Sequence, residues 1–172
     1  MRIVGVDPGL ADSGYGVIDE KNNALSVVEY SCISTSKETP FPERLRSIYD
    51  DFARVLEEYK PESCAIEALY FAKNAKSAFQ VGHARGVFIL AASLAGIPVY
   101  EYTPIQVKQA LVGNGRAEKS QLSYMVKMLL KLEEPPQPDH ASDALSVAIC
   151  HANSSRMRAL IGEERLVYGR RK

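Results

Sequence analysis

Little cysteine is present, and none of it is paired. Cys32, Cys64 and Cys150 stand alone, with no CxxC among the 172 residues. That argues against a dithiol or paired-cysteine site, and the three read as small core hydrophobes of a reducing compartment. Long apolar runs are also missing. The longest uncharged stretch, residues 86–100, is broken by Ser93, Gly96 and Pro98 and is too short to cross a membrane. The N-terminus lacks the basic region and apolar core of a signal peptide, so the expected location is the cytoplasm. There are no internal repeats and no strong low-complexity segments.

The formal net charge is zero, but it is unevenly spread. Residues 1–69 carry seven Lys/Arg against thirteen Asp/Glu, whereas residues 70–131 carry eight Lys/Arg against two Asp/Glu. Either this is ordinary surface variation or a basic middle segment meets a polyanion beside an acidic pocket. The length predicts one domain spanning 1–172, and 46% apolar residues can fill its core.

The pattern along the chain is α/β. Residues 2–7 read as a buried strand, Gly14–Ile18 as a second and Leu25–Ser34 as a third, joined by short turns into an antiparallel meander. Leu45, Ile48, Tyr49, Phe52, Val55, Leu56 and Tyr59 recur at helical spacing, with Pro42 in the first turn and Pro61 stopping the helix. Ser63–Glu67 reads as a fourth strand. It follows a helix, so it is expected to run parallel to a strand of the meander. A long helix over Asn74–Ala95, with Gly82 and Gly86 open to close approach, precedes a fifth strand, Pro98–Tyr102. Thr103-Pro104 opens a short helix. Gln121–Leu132 is amphipathic, Asp139 reads as the cap of a last helix, and the apolar pattern fades after Asn153. The tail from about residue 154 to 172 is basic and expected to be partly mobile. The order fits a five-stranded mixed sheet flanked by helices.

Two carboxylates end apolar strands. Ile3-Val4-Gly5-Val6 stops at Asp7, followed by Pro8-Gly9, and Cys64-Ala65-Ile66 stops at Glu67. A third, Asp143, lies early in the last helix, with His140 three residues before it and on the same helix face. A charge directly after a buried run must face solvent, an ion or a substrate, because an unpaired buried carboxylate is costly. If the first and fourth strands are parallel neighbours, Asp7 and Glu67 end side by side at the carboxyl edge, where open α/β sheets place their sites. Such a set suits Mg²⁺, which prefers oxygen ligands. Two such ions roughly 3.5–4 Å apart can clamp the attacking and leaving oxygens of a phosphodiester displacement. His140 is a candidate metal ligand or proton handler.

The segment Ala68-Leu69-Tyr70-Phe71-Ala72-Lys73-Asn74-Ala75-Lys76 puts two aromatics and two lysines directly after Glu67. An aromatic in a loop can stack on bases, worth roughly 1–3 kcal/mol each. Lys108, Arg116 and Lys119 flank Gly113-Asn114-Gly115, where glycine lets a backbone approach phosphate and cations would hold it. His83 and His151 read as structural.

The chain resembles the RuvC family of bacterial Holliday-junction resolvases over about 140 residues. The resemblance is carried by Gly5-Val6-Asp7-Pro8-Gly9 with Gly14-Tyr15-Gly16, Ala65-Ile66-Glu67, Ala72-Lys73-Asn74 and Ala84-Arg85-Gly86-Val87. It continues through Gln106-Val107-Lys108-Gln109, Ala117-Glu118-Lys119-Ser120-Gln121 and Asp139-His140-Ala141-Ser142-Asp143-Ala144-Leu145. It implies a ribonuclease-H-like fold and a homodimer that binds four-way DNA junctions. It also implies nicking of two strands of like polarity to leave 5′-phosphate ends, with Mg²⁺ or Mn²⁺. The family's carboxylates fall on Asp7, Glu67 and Asp143, and its fourth position on His140, where some members carry Asp. Tyr70 takes the place of a junction-probing aromatic, and Lys108 and Lys119 match basic positions linked to DNA contact; Arg85 belongs to the same candidate set. A partnership with the RuvA–RuvB branch-migration complex is implied as well. Two other readings stay open on the residues alone. One is a non-catalytic nucleic-acid-binding module. The other is an ATPase of the actin and sugar-kinase type, which needs two lobes where 172 residues provide one.

Overall fold

Three strands come first along the chain, and apolar β-branched residues such as Ile3, Val4, Val6, Val17 and Ile18 carry the first two into the core. In the computed structural model, which describes residues 1–68 and 75–161, β1 (Arg2–Asp7), β2 (Asp12–Lys21) and β3 (Ala24–Ser34) make the antiparallel meander. The turn between β2 and β3 is Asn22-Asn23, with φ of 52° and 66°. Asparagine tolerates this left-handed conformation, which tight hairpins require.

α1 (Phe41–Tyr59) follows, with Pro42 in its first turn and Ile48, Phe52, Val55 and Leu56 buried. It ends at Lys60, in left-handed conformation, just before Pro61. The chain then returns as β4 (Ser63–Glu67), parallel to β1, with Gly5 opposite Ala65 and Val6 opposite Ile66. α2 (Ala75–Leu94) carries it over to β5 (Val99–Tyr102), parallel to β4. The sheet order is β3-β2-β1-β4-β5. α3 (Pro104–Val112), α4 (Lys119–Leu130) and α5 (Asp139–Ile161) complete the described chain.

Strand alternation divides the core in two. Successive side chains of a strand point to opposite faces. Val4, Val6, Cys64 and Ile66 join α1 and α2 on one face, where Phe52 and Phe88 meet edge-on with ring centroids 4.8 Å apart. Such a ring pair contributes about 0.5–1.5 kcal/mol beyond its burial. Ile3 and Ala65 join α3, α4 and α5 on the other face. Asp7 shares the parity of Ile3 and Gly5, and Glu67 shares that of Ala65. Both acids therefore belong to the α5 face.

α5 lies directly on β1 and β2 because that part of the sheet has almost no side chains. A Cβ added to Gly14 would run into the His140 carbonyl, and one added to Gly5 into the Ala144 carbonyl. The opposing residues Ala141, Ala144 and Ala148 are fully buried. This close seat fixes the height of the first turn of α5 above the strand ends.

The elements agree with the sequence reading to within a few residues, and the differences have local causes. α4 starts at Lys119 and not Gln121, because the Gln121 side chain reaches back to accept the Glu118 N–H at 2.9 Å. Asp139 is the first residue of α5, and its carboxylate binds Lys119. α5 continues to Ile161, past the fading of its apolar pattern. Polar contacts hold that stretch: Ser155 Oγ with His151 Nε2 at 3.2 Å, and Arg156 with Glu20 at 3.0 Å. The expected basic tail beyond Ile161 lies outside the described residues. Cys64 and Cys150 are buried, Cys32 is half-buried, and none of the three is in a disulfide. No described helix is long and apolar enough to cross a membrane.

Candidate metal centre and nucleic-acid interface

The parallel pairing of β1 with β4 is what brings the first two acids together. Val6 lies opposite Ile66, so the next residues, Asp7 and Glu67, leave the sheet at the same edge and on the same face. They are close enough for a side-chain hydrogen bond. α5 supplies the other two groups from its first two turns. His140 Nδ1 is 2.7 Å from Asp7 Oδ2. One ligand atom from each of Asp7, His140 and Asp143 lies within 4.8 Å of the others.

The electrostatics are those of acids crowded without enough cations. Burial, then the charges of Asp7 and Asp143 and the hydrogen bond with Asp7, push the Glu67 carboxyl up to about 8; Lys108 opposes this. Asp143 is likewise raised, chiefly by burial and then by Asp7, although Lys119 and His140 pull the other way. Lys119 lies 3.1 Å from Asp143 and 3.2 Å from Asp139. Burial opposes its charge, but the hydrogen bonds and charges of those two carboxylates outweigh it and raise its pKa. The two ends of the Lys119–Asp143 pair thus differ. The lysine gains from two acids, while Asp143 still bears the cost of burial beside Asp7.

A raised carboxyl at the end of a strand is an acid waiting for a cation. Oxygen donors from Asp7, Glu67 and Asp143, with one imidazole, fit the preferences of Mg²⁺ or Mn²⁺. The donor set therefore suits a divalent ion.

The remaining candidates divide. Lys108, half-buried on α3, is near enough to Glu67 for its charge to matter. Arg116 is exposed in the turn between α3 and α4, where its N–H bonds Asn114 Oδ1 at 3.0 Å. The Arg85 guanidinium of α2 pairs with Glu101 of β5, an ion pair mostly out of solvent that ties α2 to the sheet. Tyr70, Phe71 and Lys73 lie outside the described residues, and Lys76 falls in the first turn of α2. His83 Nδ1 lies 2.6 Å from the Phe79 carbonyl oxygen, and buried His151 meets the Tyr102 hydroxyl at 2.8 Å. Sequence reasoning missed the Lys119 bridge and the Arg85–Glu101 pair. Neither spacing gives a signal, since each pair joins two separate elements and depends on how they pack.

A five-stranded mixed sheet of this order, with acids of β1, β4 and the last helix at one edge, defines a ribonuclease-H-like fold with a nuclease-type carboxylate centre. A family model described as "Crossover junction endodeoxyribonuclease RuvC" matches residues 3–151, and the chain belongs to that family. Two relatives with that same description are similar over nearly their whole length. The one from Ruminiclostridium cellulolyticum is 49% identical over 165 residues, covering 96% of this chain and 99% of the relative. The one from Brevibacillus brevis is 53% identical over 152 residues, covering 88% and 92%. The solved structure of Thermus thermophilus RuvC in complex with Holliday junction substrate superposes with a TM-score of 0.88 at 39% identity. It covers 91% of this chain and 96% of that one.

Proposed function

We propose that this chain is a Holliday-junction resolvase, a metal-dependent endodeoxyribonuclease that nicks two opposed strands of like polarity in a four-way DNA junction. The products carry 5′-phosphate ends, and the cofactor is Mg²⁺, with Mn²⁺ as a substitute. One observation carries this reading: Asp7 of β1 converges with His140 and Asp143 of α5 within 4.8 Å, and Glu67 of β4 is near enough to feel the charges of both acids and of Lys108. Asp7, Glu67, His140 and Asp143 would hold two ions. Bound there, the ions supply Lewis acidity toward the phosphodiester and lower the pKa of a water.

The protein's own groups do the rest. Glu67, whose carboxyl is raised by burial and then by the charges of Asp7 and Asp143, would give up its proton to serve as a ligand. With its Nδ1–H donated to Asp7, His140 keeps Nε2 as a ligand or as a proton acceptor. Lys108, Arg116 and Lys119 hold the phosphate backbone, which sets affinity and register. Tyr70 and Phe71, with Lys73 and Lys76, are proposed to reach the opened crossover.

A homodimer would place two such sites on a two-fold junction. Support comes from one side of α2, where Phe79, Leu90 and Leu94 are exposed and Gly86 has open space above its Cα. These residues share one helix face. A cytoplasmic setting and cooperation with the RuvA–RuvB complex complete the proposal.

The test is a mobile four-way junction and a linear duplex, each incubated with Mg²⁺, Mn²⁺ or chelator. Symmetric nicks in the junction, dependent on the ion and absent from the duplex, are expected. Tight junction binding with no nicking in either metal would leave a binding module in place of a nuclease.

A further inference from the structure

Lys119 is gripped by two carboxylates of α5 with different surroundings. Asp139 and Asp143 are four residues apart and stand one turn above each other on the helix. The Asp143 side chain is 26% exposed and belongs to the donors that converge within 4.8 Å. The Asp139 side chain is 65% exposed and lies outside that convergent group. One partner of the lysine is thus an inner acid of the site and the other an outer one.

We infer that Asp139 is a positioning residue that anchors the Lys119 ammonium at the rim of the acid cluster, so that this cation can meet the DNA phosphate while Asp143 serves a metal. The inference rests on the nuclease reading above and deepens it. Asp143 serving a divalent ion would hold the Lys119 ammonium, now 3.1 Å away, less strongly, because like charges would then share one carboxylate. Lysine is a strongly hydrated charge on a flexible four-carbon stem, and with no second anchor it would swing into solvent. Asp139 supplies the second anchor at 3.2 Å. An ammonium has three donors, so one on Asp139 leaves two for phosphate oxygens. Before loading, the same bridge offsets part of the negative charge at Asp143. Lys119 is thereby passed from an acid to a phosphate without leaving the site.

Asp139→Asn, Lys119→Ala and the double variant test this on the full chain, using a mobile four-way junction with Mg²⁺. Asp139→Asn is expected to slow cleavage of bound junction about 10- to 100-fold, the scale of a misplaced catalytic contact. Junction affinity should fall no further than in Lys119→Ala, and the melting temperature should stay near that of wild type, because Asp139 is exposed and acts through Lys119. The double variant should be no slower than Lys119→Ala. The ¹⁵N signal of the Lys119 ammonium should survive Mg²⁺ saturation in wild type and vanish in Asp139→Asn. Wild-type cleavage by Asp139→Asn, or a double-variant loss equal to the product of the single losses, would overturn the inference. Failure of the wild type itself to nick junctions would instead sink the nuclease reading. The ammonium signal with Mg²⁺ alone would still decide whether Asp139 holds Lys119.

Discussion

His140 Nδ1 sits 2.7 Å from Asp7 Oδ2, although 133 residues separate them in the chain. The contact exists because β1 ends where the first turn of α5 passes over it. That turn can pass so low because Gly14 and Gly5 leave no side chain beneath it. The imidazole and the carboxylate therefore form a fixed pair on which the rest of the acid cluster is assembled.

Asp7 touches both partners of that assembly, His140 and Glu67. Asp7→Asn is expected to lower cleavage by about 10³-fold or more, since the Lewis acidity of a bound ion is worth several kcal/mol. Junction binding should persist, because the cations that hold phosphate are untouched. Gel-shift and nicking assays on the same preparation would check this, and full cleavage by the variant would remove Asp7 from the mechanism.

The pH dependence follows from Glu67. Its carboxyl is raised from 4.5 to about 8 in the metal-free fold. Between those values the folded chain binds more protons than the unfolded chain, so stability falls as pH rises. The contribution is fully present below about pH 4.5 and lost above about pH 8, and raised Asp143 adds in the same direction. Glu67→Gln should flatten the slope. Mg²⁺ should stabilise the wild type more at high pH than at low, because it replaces the proton. Urea denaturation across that range, with and without Mg²⁺, gives the answer; an unchanged slope in Glu67→Gln would contradict the assignment.

His140→Asp and His140→Ala separate the roles of the imidazole. Aspartate adds an oxygen ligand and should keep Mg²⁺-dependent cleavage within about tenfold of wild type, while its pH profile loses any imidazole contribution. Alanine leaves Asp7 without this partner and should fall about 100-fold, the usual scale of a lost acid–base group. Equal activity in both variants would mean that His140 neither binds metal nor moves a proton.

Gly14→Ala should cost about 1–3 kcal/mol, because its methyl group enters space held by the His140 carbonyl and α5 must lift. Cleavage should drop by more than the stability loss explains, since the lift moves His140 and Asp143 away from Asp7. Unchanged melting and unchanged activity would show that α5 is not seated on β2 as described.

Arg85 and Glu101 stabilise the α2–β5 contact as a pair. Arg85→Ala leaves Glu101 as a mostly buried, unpaired charge and should cost about 3 kcal/mol, the lower end for breaking such a pair. An Arg85→Met, Glu101→Leu double variant should recover much of it. The salt dependence of junction binding should not change in that double variant. A shallower salt slope would return Arg85 to the DNA contacts.

Much of this was legible in one dimension. Ile3, Gly5 and Asp7 alternate with Val4 and Val6, and Ala65 and Glu67 alternate with Cys64 and Ile66. Each acid therefore had a predictable strand end, and helical spacing placed His140 beside Asp143. The ion-pair partner of Arg85 was not legible, because a cation in a basic segment looks the same whether or not it meets Glu101. Lys119 was read as a phosphate contact, but its two acidic partners on α5 could not be seen from spacing along the chain.

The chain by itself determined which residues are apolar, which acids end strands and where each helix begins, because periodicity, proline and capping act over a few neighbours. Only the folded sheet decided that β1 and β4 lie side by side, that α5 rests on bare glycines, and that Lys119 bridges Asp139 and Asp143. Those facts depend on register and on packing height, which arise from contacts between separate elements and leave no local trace.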